Sequence, residues 1–221
     1  NFTNMKKNTI IFDLDGTLLN TLADLHSSFN YAITSFGFPA RTFEEIKSFV
    51  GNGIRLAIER ALPSTIQEED LEKVVSYFKI YYKDHMHEKT QPYEGIIPML
   101  EELKKRGFKM AVVSNKYDMA VKELTKKYFG NYINIAIGEG IGIEKKPKPD
   151  GVLKAIKELN SSIEESIYVG DSDVDIKTAQ NINMDCISVL WGFRDKEFLK
   201  QNGATIFAAT PHDIINILEN L

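Results

Sequence analysis

Two aspartates, Asp13 and Asp15, follow the apolar run Thr9-Ile10-Ile11-Phe12 and lead into Gly16-Thr17. Residues two apart in an extended chain point to the same side. In a loop they can converge on one ligand, one by its side chain and the other by its backbone carbonyl. Far along the chain, Asp171 opens the acidic stretch Asp171-Ser172-Asp173-Val174-Asp175. Several carboxylates crowded into one dry cleft repel one another and raise each other's pKa. A hard divalent cation removes that cost, and oxygen ligands with retained waters suit Mg²⁺. A phosphate ester needs its non-bridging oxygens neutralised as well. Lys146 can bring positive charge, and Ser114, with backbone N–H groups around Asn115 and Thr17, can bring donors. In that setting Asp13 can attack phosphorus and form an acyl-phosphate, splitting one hard step into two. Asp15, if held protonated, can give its proton to the leaving oxygen and then take one from the attacking water. Taken singly, each segment is ordinary: a turn, a helix cap, a solvated lysine loop. Their conjunction is what points to one site.

The conjunction is positional. Thr9–Phe12 reads as a buried strand, because it is compact, β-branched and aromatic. From about Asn20 to Phe36, apolar residues recur at three- and four-residue steps and predict a helix. Phe43–Val50, Ile54–Leu62 and Glu69–His87 continue as helices. After Gln91-Pro92-Tyr93-Glu94-Gly95, a plausible return hinge, the pattern alternates. Predicted strands at Lys109–Val113, Ile133–Ile137, Ser166–Val169, Cys186–Leu190 and Thr205–Ala208 are separated by helices, one of them at Ile176–Ile182. Such alternation implies α/β architecture: a parallel sheet covered on both faces. The expected organisation is a core of residues 1–19 and 91–221 with an all-helical domain, 20–90, inserted after the first strand. Ligands of such sheets bind beyond the carboxyl ends of the strands. Asp13, Ser114 and Asp171 each follow a predicted strand, and Lys146 lies in the loop after another.

The bulk properties narrow the field. The chain has 221 residues, 43% hydrophobic and 26% charged, within the usual range of globular proteins. A net charge of −4 gives no electrostatic case for nucleic acid. No apolar run approaches the ~20 residues of a membrane span, and the N-terminal segment has no signal-peptide pattern. The single cysteine, Cys186, cannot form an internal disulfide and reads as a small buried core residue, so the expected location is the cytoplasm. Met5 is a possible native start. Asp171–Asp175 is not an EF-hand, since Ile176 and Ile182 stand where glycine and glutamate are needed. Gly138-Glu139-Gly140-Ile141-Gly142 lacks the dinucleotide-binding spacing, and the chain has no Gly-Lys-Ser/Thr. The four histidines are dispersed.

Four segments together resemble the motifs of the haloacid dehalogenase-like hydrolase superfamily: Phe12-Asp13-Leu14-Asp15-Gly16-Thr17-Leu18, Val112-Val113-Ser114-Asn115-Lys116, Lys146-Pro147-Lys148-Pro149-Asp150, and Val169-Gly170-Asp171-Ser172 with Asp175. The resemblance implies a Rossmann-like core with a helical cap and a Mg²⁺-dependent phosphatase. Asp13 would be nucleophile and metal ligand. Asp15 would be acid/base and bind the metal through its backbone carbonyl. Ser114 and Lys146 would hold the phosphoryl group. Asp171 would be a further metal ligand, with Asp175 in support. The presence of Asp15 argues against a dehalogenase. Ser114-Asn115-Lys116, Phe49–Ile54 and Trp191-Gly192-Phe193 look most like the phosphoglycolate phosphatases, which implies a small phosphorylated metabolite as substrate. The expected assembly is a monomer or homodimer.

Gly51-Asn52-Gly53 precedes a predicted helix start, where backbone N–H groups face anions, and Arg55 follows in the first turn. Asn52, Gly53 and Arg55 are therefore expected to close over the site and read the leaving group. Two alternatives share much of the pattern. A phosphosugar mutase of the same superfamily would have every motif. A phospho-aspartate receiver module would also use an aspartate, Mg²⁺ and a lysine, but without a helical insertion after its first strand.

Overall fold

Residues 6–221 are described by a computed structural model, and Met5 as a possible start lies outside them. In chain order, the first part contains β1 (Thr9–Phe12), β2 (Leu19–Asn20), α1 (Leu22–Ser35), α2 (Phe43–Phe49), α3 (Ile54–Ala61), α4 (Glu68–His85) and β3 (Gln91–Pro92). The remainder alternates: α5 (Ile96–Lys105), β4 (Lys109–Tyr117), α6 (Asp118–Phe129), β5 (Ile135–Glu139), α7 (Asp150–Glu158), β6 (Ser166–Gly170), α8 (Asp173–Gln180), β7 (Asp185–Val189), α9 (Lys196–Gln201), β8 (Ile206–Ala208) and α10 (Pro211–Glu219).

β1 is apolar throughout because it is central. It pairs in parallel with β4 on one side and β6 on the other, in a six-stranded sheet of order β5-β4-β1-β6-β7-β8. Both faces are covered, so the strand needs no polar side. Ile10 and Phe12 point into a core that takes in α5, α6, α10 and the helical insertion, while Ile11 points into a second cluster with α7 and α8. Phe12 is level with Val112 and with Val169. That register makes Asp13, Ser114 and Asp171 leave the sheet side by side.

Helices α1–α4 form the insertion, and their buried residues, such as Leu25, Phe29, Ile58, Phe78 and Tyr82, join the first core cluster. Phe29 and Phe78 meet edge to face with centroids 5.2 Å apart. The chain leaves and re-enters the sheet domain through β2 and β3, which pair antiparallel, Leu19 opposite Pro92. Buried Asp24 ties the crossing together by accepting hydrogen bonds from Lys89 N–H (2.9 Å), Thr90 N–H (2.8 Å) and Thr90 Oγ1 (2.8 Å).

Four details differ from the sequence reading. Asn20 belongs to a short strand and not to the helix, because its pairing partner, Gln91, is distant in sequence and leaves no local pattern. β4 runs on to Tyr117, which pairs with Glu139 after a register shift; the polar Ser-Asn-Lys stretch hides that continuation. α8 begins at Asp173, not Ile176, because Ser172 and Asp175 close its first turn. Cys186 is only half-buried at the edge of the second cluster.

Candidate active site

The site is built around a buried lysine. Lys146, in the loop between β5 and α7, is 3% exposed. Its ammonium lies 2.8 Å from Asp175 Oδ1 and 3.3 Å from Asp13 Oδ1, and donates to the Tyr168 hydroxyl at 2.5 Å. Tyr168 in turn donates to Asp175 Oδ1 at 2.7 Å. The other oxygen of Asp175 accepts from Asp171 N–H (3.0 Å), Ser172 N–H (3.2 Å) and Ser172 Oγ (3.2 Å). Burial pushes the Asp175 carboxyl up, but the charge of Lys146 and these donors outweigh it and hold it below the ordinary carboxylate range. Burial likewise pushes Lys146 down, and Asp13 and Asp175 outweigh it, so its pKa is raised. The backbone of Lys146 is clamped by one side chain: Asn115 accepts from its N–H (2.8 Å) and donates to its carbonyl (2.9 Å).

Asp13 stands where β1 ends, its Oδ1 accepting from Leu14 N–H at 2.7 Å. Burial, reinforced by Asp175 and Asp171 and opposed by Lys146, raises its pKa well above the ordinary value. Asp171 is pushed up to about 7, first by burial and then by Asp175. It accepts from Thr17 Oγ1 (3.2 Å) and Phe193 N–H (2.9 Å). Asp15 accepts from Thr21 Oγ1 (2.5 Å) and Lys116 Nζ (3.0 Å). Gly16 allows the close approach: its φ is +80°, and a Cβ there would collide with the Asp171 carboxylate. Asp13, Asp15, Ser114 and Asp171 line one cavity of about 60 Å³ between the strand ends and the insertion. Leu25, Ile54, Ala57, Phe78 and Tyr82 form its other wall.

Carboxylate oxygens of Asp13, Asp171 and Asp175 lie within 4.8 Å of one another. Those of Asp175 are already spent on five donors, so Asp13 and Asp171 are the two free to hold a cation. Both carry raised pKa values, first from burial and then from the neighbouring carboxylates, and a hard divalent ion would offset both. The donor set fits such an ion.

Residues 10–189 match the family described as haloacid dehalogenase-like hydrolase. The chain belongs to the haloacid dehalogenase-like hydrolase family. Phosphoglycolate phosphatase of Aquifex aeolicus (strain VF5) is 31% identical over 216 residues, 96% of each chain. That of Agrobacterium fabrum is 35% identical over 190 residues, 84% of this chain and 81% of its own. Pyrophosphatase PpaX of Bacillus cereus is 28% identical over 222 residues, 98% of this chain and 99% of its own. A solved structure, described as a candidate phosphoglycolate phosphatase from Lactobacillus delbrueckii subsp. bulgaricus, is 37% identical with a TM-score of 0.92, covering 97% of this chain and 99% of that one. These likenesses put the chain among the phosphatases of the haloacid dehalogenase-like family.

Within that family frame, the structure brings Asp13, Asp15, Ser114, Lys146, Asp171 and Asp175 together and redirects others. Thr17 does not face the cavity: its N–H closes the turn on Leu14 and its hydroxyl steadies Asp171. Asn115 lines the cavity, and its side-chain amide is spent on Lys146 and on the Gly51 carbonyl, so that side chain braces the site. Gly53 lines the cavity, but Asn52 lies outside it, its Oδ1 accepting from Arg60 Nη1 at 3.2 Å. Arg55 is turned away, paired with Glu68 and Glu72 on α4. The reason is helical geometry: Ile54 and Ala57 share the inward face of α3, and Arg55 is about 100° round from Ile54. Sequence reasoning placed Lys116 in a motif without giving it a role, and missed Tyr168 and Arg194. The role of Lys116 could have been found from β4, had the strand been continued to Tyr117. Arg194 binds the Lys47 (2.9 Å) and Val50 (2.8 Å) carbonyls and holds the insertion to the sheet domain, a contact no local pattern announces.

Proposed function

We propose that this protein hydrolyses a small phosphomonoester, 2-phosphoglycolate or a molecule of similar size, through an aspartyl-phosphate on Asp13. The observation that carries this reading is the Asp13 carboxylate beside the Lys146 ammonium, at the mouth of a small cavity also lined by Asp15, Ser114 and Asp171. The names of the relatives support the substrate class, and PpaX makes pyrophosphate the second compound to test.

Lys146 and the Ser114 hydroxyl would hold the phosphoryl oxygens in line with Asp13. An Asp13 oxygen bonds to phosphorus, and the ester P–O bond breaks. Asp15 delivers its proton to the leaving oxygen. A water then attacks phosphorus, giving its proton to Asp15, and the bond to Asp13 breaks to release inorganic phosphate. Asp13, Asp171 and the Asp15 carbonyl would hold Mg²⁺, which when bound neutralises charge on the phosphoryl group. Residues 20–90 would act as the cap. The apolar wall from α1, α3 and α4 keeps bulk water from the first step.

Asp13→Asn is expected to fold with an unchanged far-ultraviolet spectrum and to release no phosphate from any ester. Retained turnover would remove Asp13 from this role. Production of a second sugar phosphate instead of inorganic phosphate would favour a mutase.

A further inference from the structure

Lys116 is a buried cation that the chemistry above does not use. It projects from the end of β4 and its side chain is 6% exposed. Among the described residues, its one acceptor is Asp15 Oδ1 at 3.0 Å, although an ammonium has three N–H groups to place. The rest of its surroundings is aromatic: Nζ sits 4.5 Å from the centroid of the Tyr82 ring. The hydroxyls of Tyr82 and Tyr117, both residues of the cavity wall, are buried without a hydrogen-bond partner among the described residues. Buried donors left unpaired cost about 1–3 kcal/mol each, a cost that a bound anion facing them would relieve.

The other cation lining the cavity, Arg194, is turned to the backbone of the insertion. Arg194 spends Nη1 and Nη2 on the carbonyls of Lys47 and Val50. Lys146 is committed to Asp13, Asp175 and Tyr168. Lys116 has N–H groups left to place beside its bond to Asp15, and it stands on the side of Asp15, where the leaving oxygen must lie if Asp15 protonates it. The cavity, about 60 Å³ where one water needs about 10–15 Å³, admits about four to six water-sized groups and so limits the ligand to a small one.

We infer that Lys116 binds a negatively charged group on the leaving part of the substrate, and that this contact selects small anionic leaving groups over neutral ones of the same size. The inference rests on the phosphatase reading. The charge it binds is either a carboxylate, as in 2-phosphoglycolate, or a second phosphate, as in pyrophosphate.

The test compares phosphate release by the intact protein with Mg²⁺ from three substrates: 2-phosphoglycolate, pyrophosphate and the neutral isostere 2-hydroxyethyl phosphate. The wild type is expected to favour one of the anionic substrates over the neutral one by about 10- to 150-fold in kcat/KM, the range of a charge-assisted hydrogen bond. The preferred anion identifies the source of the charge. Lys116→Met is expected to reduce that ratio to about threefold or less, and Lys116→Arg to keep most of it. Loss of the Asp15 contact acts alike on the two alkyl esters, 2-phosphoglycolate and 2-hydroxyethyl phosphate, and drops out of their ratio. An unchanged ratio in Lys116→Met overturns the assignment. So does a wild type that hydrolyses the neutral isostere as fast as both anions, a result that needs no variant to fold. Release of phosphate from none of the three overturns the phosphatase reading, and the assignment with it.

Discussion

Lys146 shows how much one side chain carries. It is the cation that offsets both Asp13 and Asp175, and its own backbone is held by Asn115. Lys146→Ala is expected to lower kcat about 10²- to 10³-fold on every substrate, since it would meet the common phosphoryl group and not the leaving group. It should also lower stability by about 3–5 kcal/mol, the cost of breaking a buried ion pair, read from urea unfolding. A defect confined to one substrate, or no loss of stability, would contradict this. Gly16→Ala is a second test at this scale. Its φ of +80° and the Asp171 carboxylate in its path leave no room for a methyl group, so the variant should lose activity while the sheet stays folded. The candidate residue types were legible because four segments, each ordinary singly, all follow predicted strands and together resemble one family's motifs. Which way Thr17, Asn115 and Arg55 turn was not, because a side chain's direction depends on neighbours from other elements.

Among the elements, β1 announces itself because its burial is total and its four residues are all apolar or β-branched. β2 and β3 do not, since two residues per strand carry no period. The loop from α2 to α3 illustrates a further dependence on distant chain. Its carbonyls accept from three side chains of the sheet domain: Arg194, Asn115 (to Gly51, 3.2 Å) and Lys145 (to Asn52, 2.5 Å). Each donor adjoins a site residue: Asn115 follows Ser114, Lys145 precedes Lys146, and Arg194 follows Phe193, which holds Asp171. Arg194→Ala is expected to speed amide hydrogen exchange about tenfold in residues 47–53, with β1 unaffected. Equal protection in the variant would show that Arg194 does not fasten the insertion.

For the whole molecule, the clustered carboxylates make stability depend on pH. Asp13 and Asp171 are both raised in the folded protein, Asp171 to about 7 from an ordinary 3.8. Between those values the folded state holds protons that the unfolded chain has released, so stability falls as pH rises from about 4 to about 7. Asp175, held low, contributes stability that is lost only at more acid pH. In chelator, the melting temperature should therefore drop between about pH 4 and pH 7, and Mg²⁺ should restore it far more at the higher pH. Asp171→Asn should flatten the slope. An equal effect of Mg²⁺ at both ends would argue against a cation on these carboxylates. The sequence by itself determined the α/β class, the helical insertion and the residue types of the site, because each leaves a mark in local periodicity or composition. Only the tertiary structure decided that Lys116 is buried against Tyr82, that Arg55 faces α4, and that Arg194 grips the insertion. Those outcomes arise where two distant stretches of chain pack against each other, and the geometry of that packing is written in neither stretch alone.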